Sequence, residues 1–69
     1  MSEEWMNMLI DWYANSPRAK KFNQMVFMDT EGVQKGTPLG VGEMCATVGM
    51  PGGDVKTIYP HQLLSTESI

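Results

Sequence analysis

Apolar and polar residues follow a helical period over residues 2–15. At about 100° per residue, the apolar side chains cover an arc of roughly 200°, whereas a surface helix normally shows a stripe of about 100° or somewhat more. They form two adjacent rows: Trp5, Leu9 and Trp12 in one, and Met6, Ile10 and Tyr13 in the other. The pattern predicts an amphipathic helix that packs one row on the rest of the chain and offers the other to a different surface.

Both ends of this helix are encoded locally. Ser2 is a good N-cap, and Glu3 and Glu4 place negative charge in the first turn, where the helix dipole favours it. A residue before proline is driven out of the α region, so Ser16 and Pro17 predict that the helix ends near residue 15. Residues 16–21 are then expected to form a turn or one more short helix.

Residues 22–42 contain short apolar segments separated by turn residues. Residues 22–28 predict a strand, because they are rich in β-forming side chains, and residues 29–32 predict the turn that closes it. Residues 33–35 predict a short strand that ends at residues 36–38. The glycines of residues 39–42 are typical of a bend or a bulge.

Residues 43–59 predict a β-hairpin, the clearest local signal in the chain. Residues 43–50 alternate with a period of two, and residues 55–59 return as the partner strand. Pro51 and Gly52 suit the central positions of a type II turn, which requires a positive φ at the glycine. Residues 60–64 predict a short 3₁₀ turn, and residues 65–69 predict a tail or a last short strand.

These elements predict a single α+β domain over residues 1–69, in which the N-terminal helix precedes a small, strongly bent antiparallel sheet over residues 22–64. A hairpin followed by a one-turn 3₁₀ segment and a last short strand resembles the end of SH3-like barrels. Residues 55–64 and Ile69 carry that resemblance, which implies an SH3-like barrel for the sheet.

Size and charge narrow the classes of partner. A chain of 69 residues usually needs a disulfide, a metal or a partner surface to be stable. One cysteine cannot form an internal disulfide, and Cys45 with His61 is too small a ligand set for structural zinc. We therefore expect a larger protein partner or a homo-oligomer. The net charge of −3 disfavours nucleic acid and anionic membranes, and no apolar segment is long enough to span a bilayer.

The sequence also gives little reason to expect catalysis. His61 is the chain's only histidine, and Cys45 has no other base available to activate it. We predict no enzyme activity, no cofactor and no metal. An alternative is an enzyme assembled across a symmetry axis from Lys56, Tyr59 and His61, since such a site needs no motif within one chain.

The preferred hypothesis is a small non-enzymatic protein-interaction module that acts through its N-terminal helix. The predicted partner-binding residues are Trp5, Met6, Leu9, Ile10, Trp12 and Tyr13, since aromatic and apolar side chains dominate binding hot spots. Size and lack of motifs suggest a viral or mobile-element accessory protein in the host cytoplasm that inhibits or remodels a host protein. Alternatives are a homo-oligomeric virion subunit, or an SH3-like module that binds nucleic acid through Arg18, Lys20, Lys21 and Phe22.

Overall fold

The computed structural model describes residues 3–13 and 22–68. Predictions for the N-cap at Ser2, for the turn or short helix over residues 16–21 and for Ile69 lie outside these residues. The elements in chain order are α1 (Glu3–Tyr13), β1 (Gln24–Asp29), β2 (Gly32–Val41), β3 (Ala46–Gly49), β4 (Val55–Ile58), a 3₁₀ turn (Pro60–Gln62) and β5 (Leu63–Glu67).

The strands form an antiparallel sheet in the order β4-β3-β2-β1-β5. One helix followed by this sheet confirms the α+β prediction. Among residues 3–13 and 22–68, no helix combines the length and the apolar character of a transmembrane span.

Strand β2 is long and changes partner along its length. Its first half pairs with β1, with Met25 opposite Gly36, and its second half pairs with β3, with Thr37 opposite Gly49. The expectation that a strand ends at residues 36–38 is therefore wrong: backbone pairing continues on both sides of Gly36. The bulge predicted for residues 39–42 is present close by, as a register shift between Pro38 and Gly40.

Gly36 lets β2 and β3 approach each other at this point. A Cβ atom there would lie 2.2 Å from Cγ1 of Val48 and 3.1 Å from the carbonyl oxygen of Gly49. The glycine was interpreted as a strand terminator because it favours turns, but in the folded chain the missing side chain makes room for a neighbouring strand.

The predicted hairpin is present as β3 and β4, but its first strand begins at Ala46 and not at residue 43, and its turn differs from the prediction. The residue with a positive φ is Gly53, at 92°, not Gly52. The amide of Gly53 donates to the carbonyl of Met50 at 2.9 Å, and the amide of Met50 donates to the carbonyl of Asp54 at 2.8 Å. This is a three-residue hairpin loop with glycine in its last position, so the type II assignment was wrong.

The end of the chain is more ordered than a tail. Within residues 65–69, residues 65–67 belong to β5, which pairs with β1 through Val26 opposite Ser65 and Gln24 opposite Glu67. The hairpin, the 3₁₀ turn and the last strand follow one another in the same order as at the end of SH3-like barrels. An SH3-like barrel is therefore compatible with this architecture.

The core lies between the sheet and α1. Trp5 and Met8 of the helix are fully buried, in contact with side chains from both halves of the sheet. The buried cluster comprises Trp5, Met8, Phe22, Met25, Phe27, Val41, Ala46, Val48, Ile58 and Leu63. Two hydrogen bonds fix the helix to the end of β2: Trp5 Nε1 donates to the carbonyl of Gly42 at 3.1 Å, and the Tyr13 hydroxyl donates to the carbonyl of Val41.

Candidate protein-binding surface

The two apolar rows of α1 have different environments. Trp5 is 0% exposed, and Leu9 and Trp12 are half-buried against the core. The Trp12 ring lies 5.4 Å from the ring of Phe22, at an interplanar angle of 42°. The prediction that this row binds a partner is therefore wrong for Trp5, and it is unsupported for Leu9 and Trp12, because the row completes the core.

The other row faces outward. Met6 is 49% exposed, and Ile10 and Tyr13 are each 63% exposed. These three side chains lie at positions i, i+4 and i+7 of one helix, which places them in a line along one side. We name them the outer row. The hydrogen bond from the Tyr13 hydroxyl to Val41 restrains that ring, so this end of the row is already ordered before any partner binds.

The surroundings of the outer row are acidic. Glu3 borders it on the side away from the core, and no basic residue lies in the last turn of α1. The described part of the chain contains all eight of its acidic residues but only two of its five basic ones, Lys35 and Lys56. Both lysines are in ion pairs, with Glu67 at 3.7 Å and with Asp29 at 2.6 Å. The other three basic residues, Arg18, Lys20 and Lys21, lie outside the described residues, and the whole chain carries a net charge of −3.

The ion pair between Asp29 and Lys56 links β1 to β4, which are not neighbours in the sheet. The hydrogen bond from Lys56, aided by one from the amide of Glu31 at 2.6 Å, lowers the pKa of Asp29. The same bond raises the pKa of Lys56. Both groups are thus held in their charged forms, and Lys56 is occupied by a structural contact.

A second feature, a cleft of about 460 Å³, lies beside the 3₁₀ turn. Its lining residues are Glu43, Met44, Tyr59, Pro60 and His61. The symmetric enzyme site that the sequence suggests includes Tyr59 and His61 but not Glu43 or Met44. An aromatic pair on either side of a proline was the available signal for Tyr59 and His61. Nothing in the sequence placed residues 43 and 44 next to them.

The residues of the nucleic-acid alternative are not seen as one surface. Phe22 is 5% exposed and belongs to the core, so its ring cannot stack on a base, and that part of the prediction is wrong. Arg18, Lys20 and Lys21 lie outside the described residues. The net charge of the whole chain, −3, disfavours binding to phosphates.

A metal-binding cluster is absent from the described residues. Within residues 3–13 and 22–68 there is no group of three or more His, Cys, Asp or Glu side chains that could hold a metal ion. Cys45 is half-buried in the connection between β2 and β3. Comparison with known proteins finds no matching family model, no matching curated protein and no matching solved structure.

Proposed function

We propose that this chain is a protein-binding module whose outer row of Met6, Ile10 and Tyr13 inserts into an apolar groove of a larger protein. The observation that carries the proposal is the high exposure of these three side chains on a helix whose opposite side fills the core. The spacing i, i+4 and i+7 is the one by which amphipathic helices bind apolar grooves.

The charge around the row indicates the character of the groove. Because Glu3 borders the outer row, while Glu4 and Asp11 lie further round α1 beside β5, a groove with lysine or arginine on its rim near Glu3 would be complementary. Such a rim would speed association and fix the orientation of the helix more than it would add affinity. Binding should therefore weaken as the salt concentration rises.

A second copy of the chain fits the row less well than a groove does. Two such helices facing each other would bring like charges together, which is unfavourable. Three partly exposed side chains also supply a small fraction of the ~800 Å² that each partner contributes to a standard interface. A groove surrounds the row on several sides and buries more of each side chain. The solution mass of the purified chain, measured by light scattering across a concentration series, should correspond to a monomer.

The direct test compares two matched double variants. Met6→Gln/Ile10→Gln replaces two of the three outer-row side chains and uses a good helix former at both positions. Val33→Gln/Leu39→Gln removes two sheet residues of similar exposure, 56% and 58%. Proteins that the wild-type chain captures from extracts are candidate partners. Each one is purified, and its dissociation constant is measured for the wild type and for both variants.

We expect the outer-row variant to weaken binding at least about 100-fold, as hot-spot residues do, and the sheet variant to leave binding unchanged. Equal affinity of the outer-row variant and the wild type would overturn the proposal. A concentration-dependent dimer that the outer-row variant abolishes would also overturn it, in favour of the homo-oligomer. The wider attribution to a viral or mobile-element accessory protein rests on chain size and lack of motifs, and it stays a prediction.

A further inference from the structure

The cleft beside the 3₁₀ turn has the size of a ligand site. Its volume of about 460 Å³ lies within the roughly 300–1,000 Å³ of small-ligand pockets. One wall is formed by Glu43 and Met44, in the connection between β2 and β3. The amide of Gly42 donates to the carbonyl of Cys45 at 2.9 Å, and this hydrogen bond closes the turn that contains both residues. The other wall is the segment from Tyr59 to His61.

The second wall is a preordered pair of aromatic rings. The rings of Tyr59 and His61 lie within 6° of parallel, with centroids 6.2 Å apart. Gln62 fixes the backbone that carries them: its amide donates to the carbonyl of Tyr59 at 2.9 Å, and its side-chain oxygen accepts from the amide of Tyr59 at 2.9 Å. Its side-chain nitrogen donates to the carbonyl of Met28 at 3.2 Å, which ties the turn to β1.

The charge of the cleft favours a cation. Glu43 supplies a carboxylate at its edge, and the structure gives this carboxylate no hydrogen bond or ion pair among the described residues. The two lysines of the described part are both paired elsewhere. The faces of aromatic rings also attract cations. Together, a carboxylate that has no partner among the described residues and two nearly parallel rings suit a cation that is flat as well as charged.

We propose that this cleft binds the guanidinium group of an arginine side chain presented by another protein. Guanidinium is planar, stacks on aromatic faces and pairs with a carboxylate through two parallel hydrogen bonds. Glu43 would accept those two bonds, while Tyr59 and His61 would provide the stacking surface. The aliphatic part of the arginine would lie along Met44 and Pro60. This inference goes beyond the proposed function and does not depend on the outer row.

The test is a titration of the ¹⁵N-labelled full chain with the peptide acetyl-Gly-Arg-Gly-amide, followed by amide chemical shifts. We expect saturable shifts concentrated at residues 43–45, 59 and 61. The citrulline peptide keeps the shape without the charge and should bind at least about tenfold more weakly, because charge-assisted pairs are the strong ones. The lysine peptide should also bind more weakly, since an ammonium group cannot stack as a plane.

Matched variants distinguish binding in the cleft from non-specific attraction of the peptide to the negative charge of the chain. Glu43→Gln should weaken the arginine peptide about tenfold, whereas Asp54→Asn, which removes the same charge at the far end of the hairpin, should not. His61→Leu should also weaken it while amide spectra show the same fold. Met6→Gln/Ile10→Gln should bind the peptide as the wild type does, so this test can fail independently of the proposed function.

Several outcomes would overturn the proposal. Undiminished binding by Glu43→Gln would remove the role of the carboxylate, and equal binding of the citrulline peptide would show that charge is irrelevant. Equal binding of the lysine peptide would exclude a guanidinium-specific site. Shifts centred away from residues 43–45, 59 and 61 would place the peptide elsewhere on the acidic surface.

Discussion

The two sides of α1 have similar apolar composition and different roles. Trp5 and Met8 are almost inaccessible to solvent, whereas Ile10 and Tyr13 remain about two-thirds exposed. Fully burying such side chains stabilises a fold by about 1.5–3 kcal/mol each, so the inner side contributes to folding. The outer row gains this free energy only when another surface covers it. Hydrophobicity alone therefore does not separate the buried side of this helix from its exposed side; contact with the sheet does.

The same contrast holds between two glycines of β2. Gly36 is buried, and a methyl group added there would collide with Val48, whereas one added at Gly40 would have no atom within 4 Å. Packing therefore requires glycine at position 36, whereas position 40 can accommodate a side chain. Substitutions at tightly packed and at exposed positions give the following predictions, in order of decreasing effect on the free energy of unfolding.

Trp5→Ala should have the largest effect. Removing a buried tryptophan typically costs about 3–5 kcal/mol, and a 69-residue domain has only about 3–10 kcal/mol in total. Urea unfolding should show a variant that is largely unfolded at 25 °C. Because complete unfolding would leave no value to measure, Trp5→Phe is the second variant: it keeps a buried ring and loses the hydrogen bond to Gly42. A wild-type midpoint for Trp5→Phe would argue against the anchoring role of this side chain.

Gly36→Ala should be the next most damaging. The added methyl group requires β2 and β3 to separate, and overpacking of this kind costs about 1–3 kcal/mol, occasionally more. Gly40→Ala is the matched control in the same strand, and we expect a change of less than about 0.5 kcal/mol. Thermal or urea unfolding of both variants measures the difference. Equal stabilities would mean that the close approach at Gly36 is not a constraint on the fold.

The ion pair between Asp29 and Lys56 should produce a smaller effect that depends on pH. The pKa of Asp29 is lowered from 3.8, so its contribution is present above that pH and is lost as the pH falls through the lower folded-state pKa. The pKa of Lys56 is raised from 10.5, so its contribution is present below that pH and is lost as the pH rises through the higher folded-state value. Stability from this pair should be constant between roughly pH 5 and 9.

Lys56→Gln tests this pH dependence. Urea midpoints of the variant should fall less than those of the wild type on both the acid and the alkaline side. Part of the acid loss should remain, because Asp29 still accepts a hydrogen bond from the amide of Glu31. The difference should be modest, as for other partly exposed pairs. Identical pH profiles would show that the pair does not link β1 to β4 in solution.

Met6→Gln/Ile10→Gln should have the smallest effect on stability. Neither side chain is in the buried cluster, and exposed substitutions usually change the unfolding free energy by less than about 0.5 kcal/mol. Urea unfolding and far-UV circular dichroism check this directly. A loss of 2 kcal/mol or more would place the outer row in the protein's own core and would remove the distinction between the two sides of α1.

Local patterns predicted the elements that depend on neighbours in sequence. Helix α1, the hairpin of β3 and β4 and the 3₁₀ turn were all indicated by periodicity and turn residues. Errors arose where distant strands decide the outcome. Gly36 favours a chain end, but pairing with both β1 and β3 carries β2 through it. For residues 65–69 the sequence allows either a tail or a last short strand, and pairing with β1 makes residues 65–67 part of β5.

The candidate surfaces also differ in whether they depend on residues that are close in sequence or distant in sequence. Sequence alone identified both rows of α1, because their spacing is written in the helical period. The sequence wrongly suggested that Phe22 belongs to a nucleic-acid surface, because it lies next to three basic residues in the chain. Its burial in the core depends on residues that are distant in sequence. Glu43 and Met44 could not be associated with Tyr59 and His61, since the fold alone brings these two segments together.

The sequence of α1 shows more apolar surface than a small domain can cover. It could not determine which row the domain covers, because the rows have nearly the same hydrophobicity. The tertiary structure decided this through contacts across long stretches of chain, such as the hydrogen bond from Trp5 to Gly42, 37 residues away. Those contacts place the row of Trp5 against the core, and they leave Met6, Ile10 and Tyr13 exposed.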